Sequence, residues 1–165
     1  MAGKGLIVYF SWVGNTAAVA REIQTVTGFD VQEIKELANR PTGNIGKAGF
    51  DSMRGYRPAL QPMDFAMQGY DRVVFGAQVW AGRTTPPINA FLDKADFSGK
   101  QVWLFLTRSD PKNPPKTIES LRQRIEAAGG TFMDSITFTT NITTVMPLEA
   151  FQARLHEWLE RNGLT

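Results

Sequence analysis

The chain has 165 residues, 42% hydrophobic and 21% charged, a balance that predicts a single globular domain over residues 1–165. Zero cysteines exclude disulfides, thiolate-bound zinc, iron–sulfur clusters and thiol nucleophiles. The net charge of +2 arises from scattered basic residues, which argues against nucleic acid, and no apolar run is long enough to span a membrane.

Met1-Ala2-Gly3-Lys4 leads directly into an apolar run, so no signal peptide is expected and a cytoplasmic location is the default. That run, Leu6-Ile7-Val8-Tyr9-Phe10, is β-branched or aromatic throughout, as expected of a strand buried on both faces of a parallel sheet. A helical pattern follows, carried by Val19, Ala20, Ile23 and Val26. Between them lies Ser11-Trp12-Val13-Gly14-Asn15-Thr16. A strand-to-helix loop of this kind aims unpaired amides and the helix dipole at an anion above the strand's carboxyl end.

The loop's composition restricts that anion. A dinucleotide fingerprint requires three glycines, whereas only Gly14 is present. A P-loop requires Gly-Lys-Ser/Thr, whereas Gly46-Lys47 is followed by Ala48. The hydroxyls of Ser11 and Thr16 suit a terminal phosphomonoester. They also suit plain helix capping.

Phe29 to Leu37 reads as a second strand, although its apolar residues fit neither period cleanly. Ala38 to Gly69 is a long segment rich in Gly and Pro; such a segment is functional or conceals a short helix, for which Phe50 to Arg54 is the candidate. A third strand covers Arg72 to Val79, and Pro86-Pro87 opens a helix carrying Ile88, Phe91 and Leu92. Val102 to Leu106 forms the fourth strand, followed by a helix with Ile118, Leu121, Ile125 and Ala128 that Gly129-Gly130 ends. The fifth strand runs from about Thr131 to Thr140, and Asn141-Ile142-Thr143 beyond it matches a glycosylation sequon, which means little without secretion. A last helix spans Leu148 to Arg161 with the stripe Leu148, Phe151, Leu155, Trp158 and Leu159; His156 falls beside it and reads as a surface residue.

Five strands alternating with helices predict an α/β doubly wound fold, a five-stranded parallel sheet with helices on both faces. For a single phosphate loop after strand one we adopt the order 2-1-3-4-5, one of the two common orders of such sheets. That order places a ligand at the switch between strands one and three. The loop after strand three should then carry the other half of the site. It reads Gln78-Val79-Trp80-Ala81-Gly82-Arg83-Thr84. An indole at the end of a buried strand, followed by small residues, suits a planar aromatic ligand. Equally, Trp80 could cap the core while Gly82 makes a turn.

On these motifs the chain resembles the flavodoxin family over essentially its whole length. The resemblance is carried by Val8-Tyr9-Phe10-Ser11 through Gly14-Asn15-Thr16, Gly69-Tyr70-Asp71, Val79-Trp80-Ala81-Gly82-Arg83 with Pro86-Pro87, and Asp96-Phe97-Ser98-Gly99-Lys100. The segment Lys47 to Gly55 also resembles an insert found in flavodoxin-like proteins. The resemblance implies a flavodoxin-like fold with noncovalent FMN, its phosphate held by Ser11, Trp12, Val13, Gly14, Asn15 and Thr16. Gln78, Val79, Trp80, Ala81, Gly82 and Arg83 would face the isoalloxazine, and Thr107, Arg108, Ser109 and Asp110 would form the third loop. It further implies redox chemistry with a partner protein or small-molecule acceptor, as a carrier or as an NAD(P)H-dependent flavin or quinone reductase. No catalytic acid or base and no metal are expected. The other reading is a flavodoxin-fold protein that has lost FMN and serves as a binding or interaction module. It is favoured by Val13, where the family commonly has Thr, and by the Arg108–Pro115 segment, where the family usually has glycine or aromatic residues.

Overall fold

The computed structural model describes residues 3–112 and 115–165. Its elements run β1 (Gly5–Tyr9), α1 (Asn15–Thr27), β2 (Asp30–Glu33), α2 (Ile45–Met53), β3 (Arg72–Trp80), β4 (Arg83–Thr84), α3 (Pro86–Leu92), β5 (Gln101–Arg108), α4 (Pro115–Ala127), β6 (Thr131–Thr139) and α5 (Gln152–Arg161). Five strands pair in parallel in the order β2-β1-β3-β5-β6, and the short β4 pairs antiparallel with the end of β3. Counted without β4, this is the expected 2-1-3-4-5 order.

The strands' two-residue period sends side chains alternately to the two faces. On one face, Leu6, Val8, Val73, Phe75, Leu104 and Leu106 pack against Ile88 and Phe91 of α3 and Leu121 and Ile125 of α4. On the other, Ile7, Val74, Trp103 and Phe105 meet Val19, Ala20 and Ile23 of α1 and Leu155, Trp158 and Leu159 of α5. Each such buried aliphatic or aromatic side chain contributes roughly 1.5–3 kcal/mol of burial. Gly76 completes the second face by its lack of a side chain: a Cβ there would lie 2.1 Å from Cζ of Phe105, its partner across the β3–β5 ladder.

Four local expectations are corrected. The second strand is shorter than Phe29 to Leu37; it stops at Glu33, and Val31 and Leu37 are exposed. As an edge strand paired on one side only, it has one neighbour to bury against, so its apolar period breaks. The helix in the glycine-rich segment begins at Ile45 and ends at Met53, capped by Asn44, whose Oδ1 accepts from the Lys47 amide at 3.1 Å. The last helix breaks at Phe151 (φ −133°): Leu148–Ala150 is a separate 3₁₀ turn, Leu148 is exposed, and only the stripe from Phe151 onward is buried. Residues 78–84 are not simply a loop. β3 continues to Trp80, and the chain reverses through Ala81-Gly82 (φ 50° and 69°) so that Trp80 pairs with Arg83. Two successive left-handed residues are what a tight two-residue hairpin turn demands, and Ala81 accepts that conformation at a cost of about 1 kcal/mol.

Candidate functional site

The carboxyl ends of β1, β3 and β5 open at one end of the sheet, at the point where strand order reverses. The loop after β1 is fixed from both sides. The Phe10 amide donates to the Gly76 carbonyl at 3.2 Å, and the Trp12 amide donates to Gln78 Oε1 at 2.9 Å. Ser11 Oγ accepts from the Ala17 amide at 3.1 Å, and the Ala18 amide reaches the Gly14 carbonyl at 2.9 Å. Gly14 itself sits at φ 124°, a conformation open to glycine and strained for other residues. The consequence is a row of four amides, those of Val13, Gly14, Asn15 and Thr16, with no acceptor among the described residues. Such a row at the start of a thirteen-residue helix is an anion cradle.

The side chains of the loop have other duties. Thr16 is fully buried and its hydroxyl bonds that of Thr107 at 2.8 Å, joining α1 to β5 beneath the loop. Asn15, also buried, donates through Nδ2 to the carbonyls of Asn141 (2.9 Å) and Thr144 (3.0 Å) and accepts at Oδ1 from the Met146 amide (2.7 Å). It therefore ties down the loop after β6. Within that loop Asn141 Oδ1 accepts from Thr143 N and Oγ1, both at 2.7 Å, so the sequon is a side-chain-stabilised turn here. With Ser11 bonded to the Ala17 amide and Thr16 turned inward to Thr107, the donors left free at the helix start are backbone amides, and no hydroxyl at position 13 is among the groups that shape them.

Beside the cradle lies a cavity of about 300 Å³. Nine of the sixteen residues expected at the site line it: Trp12, Val13, Gln78, Val79, Trp80, Ala81, Thr107, Arg108 and Ser109. The Trp12 and Trp80 rings touch, with centroids 4.9 Å apart at 60°, and Phe10 meets Trp80 edge-on at 6.0 Å. No planar ring fits between indoles that close, so an aromatic ligand must use the cavity rather than the gap between them. Gly82 and Arg83 lie on the far side of the hairpin, in a neighbouring cleft. Asp110 takes no part in the cavity; its Oδ1 accepts from the Lys112 amide at 2.9 Å in an exposed turn. Pro114, expected in the same segment, lies outside the described residues.

Arg108 ends β5 with its side chain largely withdrawn from solvent. Nη2 donates to the Pro111 carbonyl at 3.0 Å, while Nε and Nη1 are buried without an acceptor among the described residues, as is Trp12 Nε1. Buried donors left unpaired are costly, so this corner holds unspent hydrogen-bonding capacity and an uncompensated positive charge.

Sequence reasoning missed two walls of the cavity: Ile45, Ala48 and Gly49 of α2, and Thr140, Asn141 and Ile142 after β6. The topological rule was the available signal, because every loop at the strands' carboxyl ends faces the same mouth. α2 is held there by a buried charge cluster. Asp51 accepts from Arg40 Nη1 at 2.8 Å, Lys47 Nζ at 3.0 Å and Arg54 Nε at 3.2 Å. Arg40 also grips Glu36 at 2.9 Å and lies 5.6 Å from the Trp80 ring centroid. Burial pushes the Asp51 carboxyl up, but these cationic hydrogen bonds prevail and lower it to about 2.

Comparison with known proteins agrees with this architecture. A family model described as flavodoxin matches residues 4–146, and the chain belongs to that family. A structure from Bacteroides eggerthii superposes with a TM-score of 0.75 at 20% identity, covering 99% of this chain and 100% of the other. A flavoprotein from Lactobacillus acidophilus, solved in complex with FMN, gives 0.67 at 23% identity over 82% of this chain and 93% of that one. Oxidised flavodoxin 2 from Bacillus cereus gives 0.60 at 17% identity over 96% and 99%. No curated protein matches. Among the described residues no helix is long and apolar enough to cross a membrane.

Proposed function

We propose that this protein binds FMN noncovalently at the mouth of its sheet and works as a redox protein. The observation that carries the reading is the row of four unpartnered amides at Val13–Thr16 opening beside a cavity walled by Trp12 and Trp80. The residues present fit the cofactor. The amides would hold the phosphate, with Gly14 providing the conformation that aligns them. Trp80 and Ala81 would flank the ring system, and Arg108 would bring its buried charge to the same cavity. Bound FMN supplies the electron-accepting and electron-donating chemistry, so the chain needs no acid or base of its own. What the chain does is bind, orient and exclude water. A cation next to the ring would favour its electron-rich form, which raises the reduction potential.

Within this reading a small-molecule donor or acceptor, with NAD(P)H as the candidate reductant, is favoured over the role of an acidic carrier docking on basic partners. The net charge of +2 supports that preference. A second reading, an interaction module without flavin, is favoured by the Trp12–Trp80 contact, with no room for a ring between the two indoles. One titration separates them. Flavin-free protein that quenches FMN fluorescence at micromolar concentration with one-to-one stoichiometry supports the first; unchanged FMN fluorescence overturns it and leaves the second.

A further inference from the structure

On the far side of the Ala81-Gly82 turn lies a second and larger cleft, of about 730 Å³, that the FMN reading does not use. The two cavities meet at Ala81, which lines both. Five cationic side chains line this cleft, Arg54, Arg57, Arg83, Lys116 and Arg124, and no carboxylate does. They come from three separate parts of the fold: the segment around the end of α2, the β4 strand, and α4. Two carboxylates outside the lining pair with three of them, Asp51 from a buried position and Asp93 from a half-exposed one. Asp51 takes Arg54 at 3.1 Å, and Asp93 takes both Arg57 (2.7 Å) and Arg124 (2.9 Å). Arg83 and Lys116 have no ion pair among the described residues. A chain whose net charge is only +2 thus gathers five cations around one concavity.

The cleft is built rather than incidental. Thr117, itself buried, donates its hydroxyl to the Gly82 carbonyl at 2.7 Å and so fastens α4 to the hairpin. Arg124 is oriented by Asn89, donating to its Oδ1 at 2.6 Å and its carbonyl at 3.2 Å. Thr84 Oγ1 donates to the same Oδ1 at 2.7 Å, which locks the Asn89 amide. Partial burial lowers the Arg124 guanidinium from its ordinary value, and an anion in the cleft would counter that effect by its charge, as Asp93 already does in part. Two carboxylates shared among three of the cations, with Arg83 and Lys116 unpaired among the described residues, leave the cleft with an excess of positive charge that favours an anion.

We infer that this cleft docks the phosphate groups of a phosphorylated small molecule of nucleotide size, leaving the molecule's other end at Ala81 beside the first cavity. The volume falls within the range of small-molecule sites, and the cations converge on a concavity rather than spread over a flat face. For its redox meaning, as the seat of a phosphorylated electron donor or acceptor, the inference rests on the FMN reading. The anion site itself stands without flavin.

Inorganic pyrophosphate is the direct probe, titrated calorimetrically into flavin-free full-length protein at low ionic strength. Lys116→Glu and Ser120→Glu, both on the exposed face of α4, leave four cations facing two carboxylates in the cleft and so sharply weaken its positive field without touching the core. Saturable one-site binding is expected, about tenfold weaker in the double variant and in high salt. FMN added first should leave it unchanged. The same samples report FMN quenching, so loss of flavin binding and loss of the anion site are read separately. Absence of saturable pyrophosphate binding, or equal affinity in the double variant, overturns the inference. Displacement of pyrophosphate by FMN overturns it too, by making the cleft the flavin phosphate's own seat. Binding of polyglutamate but not pyrophosphate would also overturn it, in favour of an acidic protein partner.

Discussion

Replacing Gly14 by alanine adds a single carbon at the position where the cradle is most constrained. At φ 124° an L side chain is strained by about 1–3 kcal/mol wherever it points. The new Cβ would also stand 3.0 Å from Cγ2 of Val145, closer than such contacts normally come, so the Asn15-tethered loop must shift. The fold survives a loss of this size, given the 5–15 kcal/mol typical of a domain, with the melting temperature lowered by roughly 2–4 °C per kcal/mol. The larger effect falls on binding. If the strain rotates one amide out of the row, a charge-assisted hydrogen bond of about 1.5–3 kcal/mol is lost, which is roughly one to two decades in FMN affinity. The assay is FMN fluorescence quenching well below the melting temperature, with circular dichroism confirming the fold. Gly14→Ala combined with Val145→Ala removes the clash but not the backbone strain, and should regain little affinity. Wild-type affinity in Gly14→Ala would refute the assignment of the phosphate to these amides.

Three other perturbations probe separate parts of the site. Trp80→Ala should weaken FMN binding by about tenfold and reduce the residual quenching of bound flavin, and unaltered quenching would remove Trp80 from the ring's surroundings. Asn15→Ala removes three hydrogen bonds to residues 141–146 and should cost about 2–4 kcal/mol in urea unfolding, with faster proteolysis in that loop; equal protease resistance would show the loop is held by something else. Because the folded-state value of Asp51, about 2, lies below its ordinary 3.8, its stabilising effect is complete above that ordinary value and fades as pH falls toward 2. Allowing for screening at the half-exposed Lys47 and Arg54, it amounts to about 1–2 kcal/mol, and Asp51→Asn should flatten that part of the stability–pH curve.

The sheet was readable from the chain because runs such as Leu6–Phe10 and Val102–Leu106 are too apolar for anything but a strand buried on both faces. The position of Trp80 and the Ser11–Thr16 loop at one mouth was readable for a different reason: strand order tells which loops share the carboxyl end of the sheet. Much of α2 was hidden because Gly46 and Gly49 lower its intrinsic helix propensity. It is stabilised instead by Asp51's ion pairs with Arg40, eleven residues upstream, and with Lys47 and Arg54, and no local pattern encodes the Arg40 partnership. The 141–146 loop stayed hidden for a similar reason. Its order comes from the Asn15 side chain, more than a hundred residues away. The duties of Ser11 and Thr16 could not be read either, since hydroxyls that cap a helix and hydroxyls that grip a phosphate have the same sequence signature.

The backbone cradle is tested most directly by following the amide resonances of a nitrogen-15-labelled, flavin-free sample as FMN is added. Val13, Gly14, Asn15 and Thr16 should show the largest downfield proton shifts, saturating at one equivalent, with Trp12 and Trp80 indole signals moving alongside. Saturation at one equivalent with those four amides unmoved, and the shifts gathered instead around Arg57, Lys116 and Arg124, would contradict it.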